Sequence, residues 1–228
     1  MTSDIDVLIA SSRAILLDFD GPVCNLFARH PASRVAEKLR INLLGRGAQL
    51  PSSLASAPNP LRLHRWTGEN RPDLMAEIDE MLTAEEMIAA ASAVPTASAH
   101  EIIRLSCSSG RSVAIVSNNS MRAIARYLAA HELTSYVSTL ACRVDGRPDL
   151  MKPNPDSVLR ATKSLKVPPE SCILIGDAMT DMEAARKAGA ARIGYAKRPE
   201  RISGLTDAGA DVVLTSLMPI ARALRKSQ

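Results

Sequence analysis

Short apolar runs recur along this chain, and each breaks off into polar or glycine-rich residues before a helix-length stretch begins. They cover residues 14–17, 113–116, 136–141, 172–175, 192–195 and 212–214. Runs this short, alternating with segments of helical periodicity, predict βαβ units and a parallel sheet. The fold class expected is α/β, a doubly wound parallel sheet with Rossmann-like connectivity. Ligands of such sheets gather beyond the carboxyl ends of the strands. The polar residues just past each run are therefore the candidates for chemistry.

The interval between the first two runs is too long for a single crossover. Residues 31–44 read as a helix and 72–93 as one or two more, while 45–60, rich in Ser, Ala, Pro and Gly, reads as a loop. This pattern predicts a helical cap over residues 25–95, inserted into a core made of residues 1–24 and 96–228. A lid of that kind excludes water and contributes substrate contacts. Within it, Trp66 is expected to anchor packing. His64, Arg62 and Arg65 are candidates to reach a substrate from the cap, although His64 reads first as an exposed loop histidine.

Composition then removes several classes of partner. Of 228 residues, 46% are hydrophobic and 23% charged, the balance of an ordinary soluble globule. Aromatic residues make up only 3%, which argues against stacking platforms for single-stranded nucleic acid. The net charge is +4 with basic residues scattered, so no nucleic-acid surface is expected. Lys197, Arg198 and Arg201 read as a solvated basic turn, with the alternative that one of them contacts an anionic substrate from the core. No stretch reaches the ~20 apolar residues that span a bilayer. Residues 1–9 carry Asp4 and Asp6 and lack the basic start of a signal peptide. Cys24, Cys107, Cys142 and Cys172 form no CxxC pair and read as reduced thiols, Cys24 as a packing residue. A cytoplasmic monomer or homodimer without membrane or nucleic-acid partners is expected.

Four of the predicted strand ends carry conspicuous polar residues. Asp18-Phe19-Asp20-Gly21 follows the first run, and Ser117-Asn118-Asn119-Ser120 follows the second. Lys152-Pro153 comes after the third run, and Gly176-Asp177 through Asp181 after the fourth. Alternate residues of an extended chain share a face, so Asp18 and Asp20 point the same way. Like charges that close raise one another's pKa unless a cation lies between them. The pair thus indicates a hard metal ion such as Mg2+, or an acid and a nucleophile working together.

In order and spacing these elements resemble the four motifs of the haloacid dehalogenase superfamily, over about residues 13–216. The resemblance implies that Asp18 is a nucleophile forming an aspartyl-phosphate and that Asp20 is the acid and base for the leaving alcohol and the water. It implies that Ser117, with Asn118 and nearby N–H groups, binds the phosphoryl oxygens and that Lys152 neutralises charge. Asp18, Asp177, the Asp20 carbonyl and Asp181 would hold Mg2+. Four carboxylates against one lysine also favour a metal on charge alone, since a phosphate monoester adds about two more negative charges.

The expected activity is a Mg2+-dependent phosphatase acting on a small phosphorylated metabolite, in the phosphoglycolate phosphatase and β-phosphoglucomutase branch. Pro22 and Asn25 depart from the common form of the first motif and weaken any transfer of substrate identity. A phosphomutase with the same core residues is the nearest alternative. A non-catalytic protein that binds a phosphometabolite is the alternative from another class. Asp20 and Asp177 count against a dehalogenase, and the scarcity of cap lysines counts against a phosphonate hydrolase.

Overall fold

The computed structural model describes residues 4–227, so residues 1–3 and 228, at the ends of the expected core ranges, lie outside it. The strands are β1 (Ala14–Leu17), β2 (Cys24–Asn25), β3 (Val94–Pro95), β4 (Ser112–Val116), β5 (Thr139–Ala141), β6 (Cys172–Gly176), β7 (Ala191–Tyr195) and β8 (Val212–Leu214). The helices are α1 (Asp4–Ser11), α2 (Ala32–Gly45), α3 (Pro60–Asn70), α4 (Met75–Ala91), α5 (Ala99–Ser108), α6 (Met121–Ala130), α7 (Asp156–Leu165), α8 (Met179–Ala188), α9 (Ile202–Asp207) and α10 (Met218–Lys226).

Six strands form one sheet in the order β5-β4-β1-β6-β7-β8, with every pairing parallel. This is the doubly wound α/β arrangement that the apolar runs predict. Parallel central strands are covered on both faces, which is why they read as unbroken apolar runs rather than alternating ones. In β1, Ile15 and Leu17 face a layer that includes Ile102 and Ile103 of α5, Ile124 and Tyr127 of α6, and Ile220 and Leu224 of α10. Ala14 and Leu16 face the opposite layer, with Val158 and Ala161 of α7 and Ala184 and Ala185 of α8.

The winding reverses at β1. It lies between β4 and β6 with Leu17 in register with both Ile115 and Ile175. The residues that follow these three strands therefore converge on one spot, the place where doubly wound sheets form crevices.

Helices α2, α3 and α4 lie between the short antiparallel strands β2 and β3. They share an apolar cluster of their own, containing Val35, Leu39, Leu43, Leu63, Ile78 and Leu82, with Trp66 packed against it. Helix α3 corrects the reading of His64 as a loop residue. Its sequence is polar and contains Gly68, which masks the periodicity. The available signal was Asn59-Pro60: Asn59 Oδ1 accepts the Leu61 N–H at 2.9 Å, and Pro60 sits in the first turn where no N–H is needed. The 136–141 run is also shorter as a strand than expected, because Thr134–Tyr136 forms a 3-10 turn before β5.

Candidate active site

Asp18 stands immediately beyond β1, and its N–H donates to the Ile175 carbonyl at 2.9 Å, so the carboxylate is placed by the sheet itself. Gly21 turns the chain at φ 120°, in the region that glycine alone enters readily. A Cβ there would lie 2.5 Å from the Asp177 carboxyl carbon. The absent side chain is what lets the loops after β1 and β6 meet. Gly176 does the same for Asp181, whose Cβ lies 2.4 Å from where a Gly176 Cβ would be.

Lys152 reaches in from the loop beyond β5, with its side chain 2% exposed. Its Nζ lies 2.8 Å from Asp18 Oδ1 and 2.5 Å from Asp181 Oδ1, and donates to the Val116 carbonyl at 2.9 Å. Burial alone would lower the pKa of the ammonium, but Asp18 and Asp181 raise it above its ordinary value and hold it charged. Asp181 is itself buried, and its Oδ2 accepts the Ala178 N–H at 3.0 Å at the start of α8. The aspartate is therefore a brace for Lys152 as well as a carboxylate of the cluster.

Carboxylate oxygens of Asp18, Asp177 and Asp181 lie within 4.8 Å of one another. Burial, followed by the negative charges of Asp18, Asp181 and Asp20, pushes the Asp177 carboxyl up to about 8. Burial and Asp181 push Asp18 up to about 6 in spite of Lys152. Three oxygen donors with more negative charge than one lysine can neutralise are what a hard divalent cation requires, so the residues present fit Mg2+. The Asp20 carboxylate stands apart from this trio and accepts the Leu26 N–H at 2.9 Å. Its pKa is raised, chiefly by burial, with the Leu26 N–H opposing. The Asp20 carbonyl accepts no hydrogen bond among the described residues.

Ser117 is buried beyond β4 and bonds Asn119 twice, through Oγ to Oδ1 at 3.1 Å and from the Asn119 N–H at 3.2 Å. The Asn118 side chain turns to the Lys152 main chain. Its Oδ1 accepts the Lys152 N–H at 2.9 Å, and its Nδ2 donates to the Lys152 carbonyl at 3.3 Å. The Asn118 N–H has no acceptor among the described residues, so the main chain rather than the amide is what it offers a ligand.

Asp18, Asp20, Ser117, Asn118, Lys152, Asp177 and Asp181 all line one cavity of about 590 Å3, roofed by Phe27, Pro58, Leu61, Arg62 and Arg65. Arg65 Nη2 donates to the Lys152 carbonyl at 3.3 Å. His64 does not join them. It lies in α3, fully buried, with Nε2 2.5 Å from Asp79 Oδ1, which corrects its reading as an exposed loop residue. Arg201, in the exposed basic turn, donates to the Asp177 carbonyl at 2.8 Å. Sequence pattern missed Glu86 and Arg143, which flank the Ser117 turn, whereas Asn119 and Arg201 belong to the polar strand-end and basic-turn residues it picks out. A charged residue among helical neighbours carries no mark of what it will face.

The haloacid dehalogenase-like hydrolase family profile matches residues 69–195, more than half of the chain, and the chain belongs to that family. The matched range contains Ser117, Lys152, Asp177 and Asp181, and begins after Asp18 and Asp20. No curated protein matches the chain. Among solved structures, a predicted phosphatase from Clostridium acetobutylicum is similar with a TM-score of 0.69 at 16% identity, over 94% of this chain and 99% of that one. CbbY from Rhodobacter sphaeroides, in complex with phosphate, has a TM-score of 0.63 at 18% identity, over 94% and 99%. A haloacid dehalogenase family hydrolase from Deinococcus radiodurans R1, with bound phosphate and sodium, has a TM-score of 0.60 at 24% identity, over 96% and 97%. These likenesses establish the shared fold.

Proposed function

We propose that this protein is a Mg2+-dependent phosphatase that hydrolyses a small phosphorylated metabolite through an aspartyl-phosphate on Asp18, beneath a cap formed by α2, α3 and α4. The observation that carries this reading is the pairing of Asp18 Oδ1 with Lys152 Nζ at 2.8 Å on the floor of the cavity. A carboxylate held there by a buried cation is oriented for attack, and the same cation neutralises charge gathering on a phosphoryl group. The phosphate-bearing relatives from Rhodobacter and Deinococcus agree with this choice of ligand.

In the first step an Asp18 oxygen bonds to phosphorus as the bond from phosphorus to the ester oxygen breaks. Asp20, kept protonated more readily by burial, gives its proton to the departing oxygen. In the second step Asp20 takes a proton from water as that water attacks the aspartyl-phosphate, returning Asp18 and releasing phosphate. Ser117 and the Asn118 N–H hold the non-reacting oxygens. Asp18, Asp177 and the Asp20 carbonyl would hold Mg2+, with Asp181 completing or orienting the shell. When bound, Mg2+ supplies the positive charge that lets a dianionic ester approach several carboxylates.

Phosphate release from a panel of phosphorylated metabolites, with Mg2+ and then with a chelator, tests this. Metal-dependent release lost on chelation is the expected result. Isomerisation without release would make the protein a mutase, and no turnover with any ester would overturn the enzymatic reading.

A further inference from the structure

A second buried polar cluster grips the Ser117 turn from the α4 side. Glu86 has no exposed surface, and its two oxygens accept four bonds. Oε1 takes Asn119 Nδ2 at 3.0 Å and Arg143 Nη1 at 2.8 Å, while Oε2 takes the Ser120 N–H at 2.8 Å and Arg143 Nη2 at 3.1 Å. Only a carboxylate offers that many lone pairs without a donor of its own. Because Glu86 can only accept, Asn119 must present its Nδ2 to Glu86 and therefore its Oδ1 to Ser117. Arg143 completes the grip, with Nη1 donating to the Asn118 carbonyl at 3.0 Å and its N–H to the Asn119 carbonyl at 3.1 Å.

We propose that Glu86 is a positioning residue for phosphate binding: acting through Asn119 and the Ser120 N–H, it sets the shape of the 117–120 turn and the direction of the Ser117 hydroxyl. The proposal rests on the reading of that turn as the phosphate site. A phosphate oxygen would take the Ser117 hydrogen from Asn119 Oδ1, and the turn would hold because Glu86 still secures the Asn119 amide. The seat of α4 on the core and the form of the phosphate site are then one structural event.

The test compares Glu86→Gln, Asn119→Ala and Thr83→Val with the wild type, well below their unfolding midpoints. It measures inhibition by inorganic phosphate, kcat and KM for a generic phosphate ester, and thermal unfolding. Thr83 Oγ1 accepts from Arg143 Nη2 at 3.2 Å within the same buried cluster but makes no hydrogen bond to residues 117–120 among the described residues, so Thr83→Val is the control for a general loss of stability. The amide of Glu86→Gln sets a donor against a donor, an error worth roughly tenfold. The phosphate inhibition constant and KM are expected to rise by about that factor, with a smaller change in kcat. Asn119→Ala should do the same, and adding Glu86→Gln to it should cost less than about twofold more. Thr83→Val should lower only the midpoint.

Unchanged phosphate inhibition in both Glu86→Gln and Asn119→Ala, with an active wild type, overturns this proposal alone. A wild type that neither binds phosphate nor cleaves the ester overturns the phosphatase reading and this proposal together. If Glu86→Gln does not fold, Asn119→Ala decides by the same measurement.

Discussion

Two groups of buried and half-buried carboxylates lie close together in this molecule and are compensated in opposite ways. Glu86 is surrounded by four N–H donors, two of them from a guanidinium, and Asp79 is met by His64 at 2.5 Å and the Gly146 N–H at 2.6 Å. At the sheet end, Lys152 pairs with Asp18 and Asp181 but not with Asp177, and burial with repulsion from the neighbouring acids drives the Asp177 carboxyl up to about 8. A buried acid is therefore not itself the mark of a reactive site. The mark is negative charge that the protein leaves for something else to neutralise.

The strongest way to break this contrast is to remove one acid from the uncompensated group. Asp18→Asn should lower phosphate release by on the order of 10³-fold or more while the unfolding midpoint stays level or rises, because a surplus charge is lost. Retained activity would remove Asp18 from the chemistry. The matching change in the compensated group should do the reverse. Arg143→Met leaves Glu86 buried beside too few donors and should destabilise the fold by about 3–5 kcal/mol in urea denaturation. A loss below about 1 kcal/mol would mean that Glu86 does not need its partner.

Gly21→Ala asks whether the acids must meet. Its Cβ would press on the Asp177 carboxyl from a backbone at φ 120°, so activity should fall by about 10²-fold and the Mg2+ concentration for half-activity should rise. Wild-type activity in that variant would show that the close approach is dispensable.

A gentler probe is pH. The native Asp177 keeps a proton that the unfolded chain has already released, so the stability it contributes is full below about 4 and is lost as pH rises toward about 8. The midpoint of the chelated protein should therefore decline across that range, and added Mg2+ should raise it more at pH 8 than at pH 6. A flat profile would contradict the surplus of charge. The smallest effect is expected from Arg122→Ala. Arg122 pairs with Glu80 at 3.0 Å between the same two helices, α6 and α4, that lie beside the Glu86 cluster, but the side chains are 62% and 68% exposed. Its removal should leave the midpoint unchanged within error, because water screens the pair.

The sheet and the polar residues that gather at its carboxyl end were legible because their causes are local. A buried parallel strand needs an unbroken apolar run, and the residue beyond its last rung is exposed to whatever the crevice holds. Asp18, Ser117 and Asp177 could therefore be picked out from position alone, and Lys152 from its motif. Helix α3 was hidden by its polar face and by Gly68. The burial of His64 was hidden with it, because only the approach of α4 brings Asp79 to its ring.

By itself the sequence determined the α/β class, the order of apolar runs, the chemical types at the strand ends and the excess of carboxylates over lysine. Each of these depends on a residue and its near neighbours. The tertiary structure alone decided that Asn118 clasps the Lys152 main chain, that Asp181 braces the lysine, and that Arg201 reaches the Asp177 carbonyl. It also decided that Glu86, Asn119 and Arg143 form one unit across α4 and the core. Those contacts join residues tens of positions apart through directional hydrogen bonds. Only the packed arrangement of helices on the sheet fixes which donor meets which acceptor.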